Sequence, residues 1–115
     1  MPSPPLAPDD GPIDAEHLNR MTLGDAGLER EVLAMFSAQA AGLLQTLGTL
    51  PKEAATLAHT LKGSARAVGA FAVAEAAERL ESALAARSDP AAALDELADA
   101  VTAARTAIDA MLRRS

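Results

Sequence analysis

Residues 51–70, PKEAATLAHTLKGSARAVGA, carry apolar side chains at three- and four-residue steps. At about 100° per residue, these side chains cover roughly one third of a helix circumference. The members of this face are Ala54, Leu57, Ala58, Leu61, Ala65 and Val68. The segment is therefore predicted to form an amphipathic helix from about Pro51 to Val68 with this face buried. We expect Gly69 to end it, because glycine readily takes the left-handed conformation that follows helix C-termini.

Two further helices are predicted on the N-terminal side of this segment. A short one begins after the candidate N-cap Asp14 and ends at Met21. Its apolar contacts are predicted to be Ile13, Leu18 and Met21. A long core helix extends from about Ala26 to Gly48. Its periodic apolar residues are Leu28, Val32, Met35, Phe36, Ala40, Leu43, Leu47 and, just beyond it, Leu50.

Two more helices are predicted on the C-terminal side. The first extends from about Phe71 to Arg87, and its apolar stripe contains Val73, Ala77, Leu80 and Leu84. Asp89 and Pro90 then form an N-cap and a first-turn proline, where proline is well tolerated. The last helix reaches about Arg113, with the apolar residues Leu94, Leu97, Val101, Ala104, Ile108, Met111 and Leu112. Short joints between helices of this kind favour neighbours that pack antiparallel.

The predicted fold class is therefore all-α, an antiparallel up-and-down four-helix bundle with a short extra N-terminal helix. The chain has 115 residues, half of them apolar and only two aromatic, which fits a single helical domain. We assign that domain to residues 13–115. Residues 1–12 contain five prolines and no apolar run, and are predicted to form a disordered tail.

Composition excludes several classes of function. The net charge of -6 and the lack of Trp and Tyr argue against a nucleic-acid partner. No cysteine is present, which excludes thiolate chemistry, and two distant histidines make a metal site improbable. No segment suits a membrane span, so we expect a cytoplasmic protein. Helices with one apolar stripe each can bury those stripes within a monomer, which is the expected oligomeric state.

His59 lies on the outer face of the helix predicted from residue 51, together with Thr56, Lys62, Gly63 and Arg66. An exposed histidine, or a run of exposed cations, is most often an ordinary solvated surface. Residues 51–70 nevertheless carry a net charge of +2 in an acidic chain. This contrast favours an anion held at the helix face, and a phosphoryl group on the imidazole fits that description.

Gly63 lies one turn after His59, inside the predicted helix. Glycine there costs about 1 kcal/mol relative to alanine, in a chain that uses alanine almost everywhere. Its missing side chain leaves a shallow gap through which a partner surface can approach the imidazole. Gly42 is also inside a predicted helix with no site attached, so an interior glycine does not define a site by itself.

The block from Leu57 to Ala70, LAHTLKGSARAVGA, resembles the signature of histidine-containing phosphotransfer (HPt) domains. The resemblance implies that His59 is the phosphoacceptor, Lys62 the cation beside the phosphoryl group, and Gly69 a structural cap. We expect Thr56, Gly63 and Arg66 to contribute to partner docking. The implied partners are response-regulator receiver domains and a hybrid or sensor histidine kinase. No cofactor is expected on this chain, since the receiver binds Mg²⁺.

Three alternatives remain open at this point. The phosphoacceptor domain of chemotaxis kinases carries a similar block, so a fragment of such a kinase is possible. Dimerisation domains of sensor kinases have an acidic residue after their histidine, whereas Thr60 follows His59, which disfavours that class. A binding-only bundle would dock a receiver or kinase without being phosphorylated. In every case the chain lacks a nucleotide-binding loop, and it is predicted to be a carrier rather than an enzyme. We expect no role for His17.

Overall fold

The computed structural model describes residues 11–114 of the chain, and five α-helices contain most of them. The helices are α1 (Ala15–Met21), α2 (Ala26–Leu47), α3 (Ala54–Val68), α4 (Phe71–Ala85) and α5 (Ala91–Arg114). The predicted disordered tail, residues 1–12, lies outside the described residues except for Gly11 and Pro12. No helix in the described range is long and apolar enough to cross a membrane.

Helices α2 to α5 form a four-membered bundle in which each helix packs against two neighbours. The packed pairs are α2 with α3, α3 with α4, α4 with α5, and α5 with α2, while α1 lies against α3. Five of the six residues predicted for the buried face of α3 are buried, with Ala58, Leu61 and Ala65 fully enclosed, and the sixth, Leu57, is partly buried. This arrangement confirms the predicted all-α bundle with a short extra N-terminal helix.

Helix α1 starts at the predicted cap, whereas α3 and α5 start slightly later in the chain than predicted. The Asp14 carboxylate accepts a hydrogen bond from the His17 backbone N–H at 3.1 Å, as expected of an N-cap. Helix α3 begins at Ala54 rather than at Pro51, because Leu50 takes a left-handed φ of 49° and a turn follows it. Pro90 immediately precedes α5, and its carbonyl accepts the first bond of that helix, from Leu94 N–H.

The apolar stripe predicted for α2 is partly wrong. Met35 is 72 % exposed and Leu28 and Leu50 are also exposed, whereas Leu33, absent from the predicted stripe, is buried. Leu33 is in phase with Phe36, Ala40 and Leu47, which form the buried face of α2. Met21 of α1 is exposed as well, while the other two contacts predicted for that helix, Ile13 and Leu18, are buried.

Gly69 ends α3 and also seats the N-terminal segment against the bundle. Its φ of 85° is left-handed, as the sequence predicts. The Asp14 backbone N–H donates to the Gly69 carbonyl at 2.9 Å, which fixes the start of α1 beside the end of α3. A Cβ at Gly69 would lie only 2.9 Å from the Asp14 carbonyl oxygen. Both conformation and space therefore require glycine here.

Replacing Gly69 with alanine is expected to lower the free energy of unfolding by about 2 kcal/mol or more, because left-handed strain adds to a backbone clash. Urea unfolding followed by circular dichroism measures this change. Gly48→Ala is the matched control, since Gly48 also caps a helix but has a φ of -60°. Equal effects of the two substitutions would contradict the requirement for glycine at position 69.

Candidate functional site

His59 projects from the middle of α3 with 70 % of its side chain exposed. Its helical phase explains this exposure, because His59 lies away from the buried face that includes Ala58 and Leu61. The ring is anchored on one side only: Nδ1 lies 3.1 Å from Oε2 of Glu81 on α4. The described part of the chain provides no polar partner for Nε2, which is left accessible.

Lys62 is more enclosed than the sequence indicates. It lies at the edge of the outer face of α3, beside α4, and only 15 % of its side chain is exposed. Its Nζ lies 2.6 Å from Oε1 of Glu81. Glu81 therefore contacts His59 with one carboxylate oxygen and Lys62 with the other, which ties the two α3 residues to one residue of α4.

Glu81 is ionised at neutral pH in this setting. Partial burial acts to raise the pKa of the Glu81 carboxyl, but the hydrogen-bonding contacts of Lys62 and His59 and the positive charge of Lys62 outweigh it, and the pKa lies below the ordinary 4.5. An ionised carboxylate only accepts hydrogen bonds, so Nδ1 of His59 is the donor in this pair. Neutral imidazole carries one ring proton, and Nε2 therefore holds the free lone pair.

Two of the cationic side chains of α3 face glutamates of α4. Arg66 Nη2 lies 3.3 Å from Oε1 of Glu78, and Lys62 is paired with Glu81. Both glutamates belong to α4, which a charge count limited to residues 51–70 omits. The site is thus a row of ion pairs between α3 and α4. Its cations are held in place, but their charge is largely balanced.

The outer face around His59 has little side-chain bulk on the side away from α4. Gly63 is exposed, and a Cβ built there meets nothing within 4 Å. Thr56, one turn before His59, is exposed too. Next to Gly63, Ser64 begins a groove of about 360 Å³ between α2 and α3. The groove is lined by Val32, Met35, Phe36, Gln39, Ser64, Ala67 and Val68.

Glu81 and the groove are the two features that sequence reasoning missed. Glu81 was detectable, because α3 and α4 are joined by a short turn at Ala70. His59 lies eleven residues before that turn and Glu81 eleven residues after it. Antiparallel helices joined in this way place such positions opposite each other. The groove depends on the exposure of Met35, which the helical period alone assigned to the core.

His17 lies outside this site and has a structural contact. Its Nε2 is 3.2 Å from the Ala67 carbonyl oxygen, and its ring meets Phe71 edge-on at 5.2 Å between centroids. The contact connects α1 to the end of α3 and the start of α4. Within residues 11–114, no three His, Cys, Asp or Glu residues form a group able to hold a metal ion.

Comparison with known proteins assigns the class. Residues 31–113 match the Hpt domain family, so the chain belongs to this family of phosphotransfer proteins. Its structure is similar to the crystal structure of the histidine phosphotransferase ShpA from Caulobacter crescentus, with a TM-score of 0.74 and 34 % sequence identity. That similarity covers 90 % of this chain and 93 % of the ShpA chain. No curated protein matches the chain.

The ion pair at Glu81 predicts a pH-dependent contribution to stability. Because the folded pKa is lowered, this contribution is present above the ordinary value of 4.5 and is lost as pH falls through the folded pKa. Glu81→Gln is therefore expected to reduce the free energy of unfolding by about 1 kcal/mol or less at about pH 5.5. The difference from wild type should shrink as the pH falls through the folded pKa, and vanish once the Glu81 carboxyl is protonated in both the folded and the unfolded protein. Urea unfolding across this range tests it, and a constant difference would contradict the assignment.

Proposed function

We propose that this Hpt domain is a phosphorelay intermediate that accepts a phosphoryl group on His59 and exchanges it with the aspartate of response-regulator receiver domains. The observation that supports the proposal is the His59 ring, which is exposed on α3 and contacts Glu81 through Nδ1, while Nε2 has no polar partner among the described residues. Membership of the Hpt family supports the same chemistry.

The transfer requires positioning more than acid or base catalysis. The Nε2 lone pair attacks the phosphorus of the receiver's aspartyl phosphate, and the P–O bond opposite it breaks in line. The electron pair of that bond stays on the aspartate. Lys62 lies one turn from His59 and supplies positive charge for the phosphoryl oxygens. Mg²⁺ belongs to the receiver, so this chain acts as a carrier and needs no cofactor of its own.

We assign partner docking to the surface beside His59 that has little side-chain bulk. Gly63 and Thr56 leave room for a receiver to bring its aspartate close to the ring, and Arg66 borders this surface. The groove that begins at Ser64 extends it toward α2. We assign the protein to the cytoplasm, as a monomer whose domain comprises residues 13–115. A hybrid or sensor histidine kinase is the second proposed partner in the relay.

The test is phosphotransfer profiling with a panel of receivers, each first labelled with radioactive phosphate. Transfer to this chain is expected at one site that is labile in acid and stable in alkali, as phosphohistidine is. A receiver that binds the chain without labelling it would favour the binding-only alternative. Labelling at any other residue would contradict the assignment of His59.

A further inference from the structure

The groove between α2 and α3 is an apolar surface that the packing of the described residues leaves open. Among its lining residues Phe36 and Val68 are buried, whereas Met35 at the rim is 72 % exposed. None of these described lining residues is charged, although the chain carries a net charge of -6. The volume of about 360 Å³ is at the small end of the range for ligand pockets. The groove therefore suits a few apolar side chains of a narrow segment.

The N-terminal part of the chain enters the bundle beside one end of this groove. The Asp14 backbone N–H donates to the Gly69 carbonyl at 2.9 Å. Nε2 of His17 lies 3.2 Å from the carbonyl oxygen of Ala67, which lines the groove. Residues 1–10, which lie outside the described range, therefore join the structure next to the groove.

We propose that the groove binds residues 1–8 of the same chain, and that this segment competes with a receiver for the surface beside His59. The competition rests on the function proposed above, whereas the binding does not. The reach of the segment, its composition and its attachment to the bundle each support this pairing.

The segment is long enough to lie along the whole groove. On α3 the groove extends from Ser64 to Val68, a rise of about 6 Å. A proline-rich segment in the polyproline II conformation extends about 3.1 Å per residue, so residues 1–10 can span about 30 Å. His59 is ten residues before Gly69, or about 15 Å along the helix. A segment anchored beside Gly69 can therefore fill the groove and reach the edge of the surface beside His59.

The composition of residues 1–8, MPSPPLAP, matches the apolar lining of the groove. Four of these eight residues are proline. Met1, Leu6 and Ala7 are apolar as well, so Ser3 has the only polar side chain. Because proline has no backbone N–H, burial of this segment removes fewer hydrogen-bond donors from water than burial of an ordinary segment. Proline-rich peptides also favour polyproline II before they bind, which lowers the entropic cost of docking in an apolar groove.

Attachment to the bundle makes even a weak contact effective. A short link between two binding surfaces gives an effective concentration in the millimolar range. The groove begins at Ser64, next to Gly63, so a segment bound in it borders the surface assigned to receiver docking. A receiver then binds only the fraction of molecules in which the groove is open, and its apparent affinity falls by that fraction. The segment thus acts as a competitor within the chain.

A spin label on the segment tests the binding directly, because the chain has no cysteine of its own. Ser3→Cys carries the nitroxide, and carbon-13 methyl groups of methionine are observed by NMR before and after the nitroxide is reduced. Met35, at the rim of the groove, is expected to lose most of its signal while the nitroxide is active. Met111, which borders a different pocket between α2 and α5, is the internal reference and should lose less.

Variants of the segment and of the groove decide whether this loss requires their contact. Leu6→Glu places a charge in the segment, and Ala67→Glu places one in the groove lining. Either substitution should reduce the loss at Met35 to the level of Met111. Ala34→Glu is the matched control for Ala67→Glu, because Ala34 is exposed on α2 outside the groove, and it should leave the loss unchanged. A loss at Met35 that neither Leu6→Glu nor Ala67→Glu reduces overturns the proposal.

A mixture of two proteins identifies the chain that supplies the segment. One protein carries the nitroxide without carbon-13, and the other carries carbon-13 methionine without the nitroxide. We expect the Met35 signal of the mixture to stay intact, since binding occurs within one chain. Loss of that signal would assign the groove to a second copy and overturn the proposal.

Transfer rates test the competition with a receiver. With a labelled receiver below saturation, Leu6→Glu is expected to accept phosphoryl groups about threefold faster than wild type or more, because the groove is then open in a larger fraction of molecules. At saturating receiver the two rates should be equal. Equal rates below saturation would refute the competition. Wild-type protein that is never labelled would refute the proposed function, while the NMR result still decides the binding of the segment.

Discussion

Replacing His59 with glutamine is expected to abolish phosphoryl transfer from any receiver that labels the wild-type chain. Glutamine has a similar reach, but its amide nitrogen has no lone pair available for attack on phosphorus. The fold should be unaffected, because 70 % of the His59 side chain is exposed and the buried face of α3 is untouched. We expect the helical circular dichroism to be unchanged and the free energy of unfolding to shift by about 0.5 kcal/mol or less.

His17→Gln is the matched control for this experiment, since it removes the only other histidine of the chain. It loses the contact with the Ala67 carbonyl and the edge of Phe71, at a cost of about 1 kcal/mol in stability. Its labelling should nevertheless equal that of wild type. Label that survives His59→Gln, or disappears in a folded His17→Gln, would contradict the choice of His59.

The bundle is well predicted because each helix is determined by residues that are close together in the sequence. Periodicity places the buried face of α3, and Gly69 ends that helix in the left-handed conformation. The start of α3 was misplaced because Leu50 takes a left-handed φ of 49°, which is unusual for leucine. No local sequence rule indicates that conformation.

The face of α2 was misassigned for a different reason. Leu28, Val32 and Met35 recur at helical spacing, and so do Leu33, Phe36 and Ala40. Periodicity alone does not say which of two overlapping stripes meets the neighbouring helices. Packing against α3 and α5 decides it, by burying Leu33 and leaving Met35 at the rim of the groove.

For the candidate site too, positions within one helix are predictable from the sequence, and contacts between two helices are not. His59, Lys62 and Gly63 are on one helix, and their relative positions follow from the spacing of α3. Glu81 comes from α4, so finding it requires the register between two helices. Including α4 also lowers the net positive charge of the site, because Glu78 and Glu81 balance the cations Arg66 and Lys62. A prediction confined to the motif gives the reacting group but not the residue that orients it.

Replacing Gly63 with glutamine is expected to slow phosphoryl transfer by on the order of 100-fold while making the protein more stable. The added side chain would stand one turn from His59, and even about 1 Å of displacement of the partner has an effect of this size. Stability should rise by about 0.5–1 kcal/mol, because glycine is a poor helix former and a Cβ at this position meets nothing within 4 Å.

Gly42 provides the matched control that separates docking from helix propensity. It too lies inside a helix, α2, and a Cβ built there also meets nothing within 4 Å. Gly42→Gln should therefore give the same gain in stability with unchanged transfer. Rates measured over a range of receiver concentrations show whether Gly63→Gln weakens binding or misaligns the bound pair. Equal transfer by the two glutamine variants would mean that Gly63 does not serve docking, because each removes one interior glycine and only one lies beside His59.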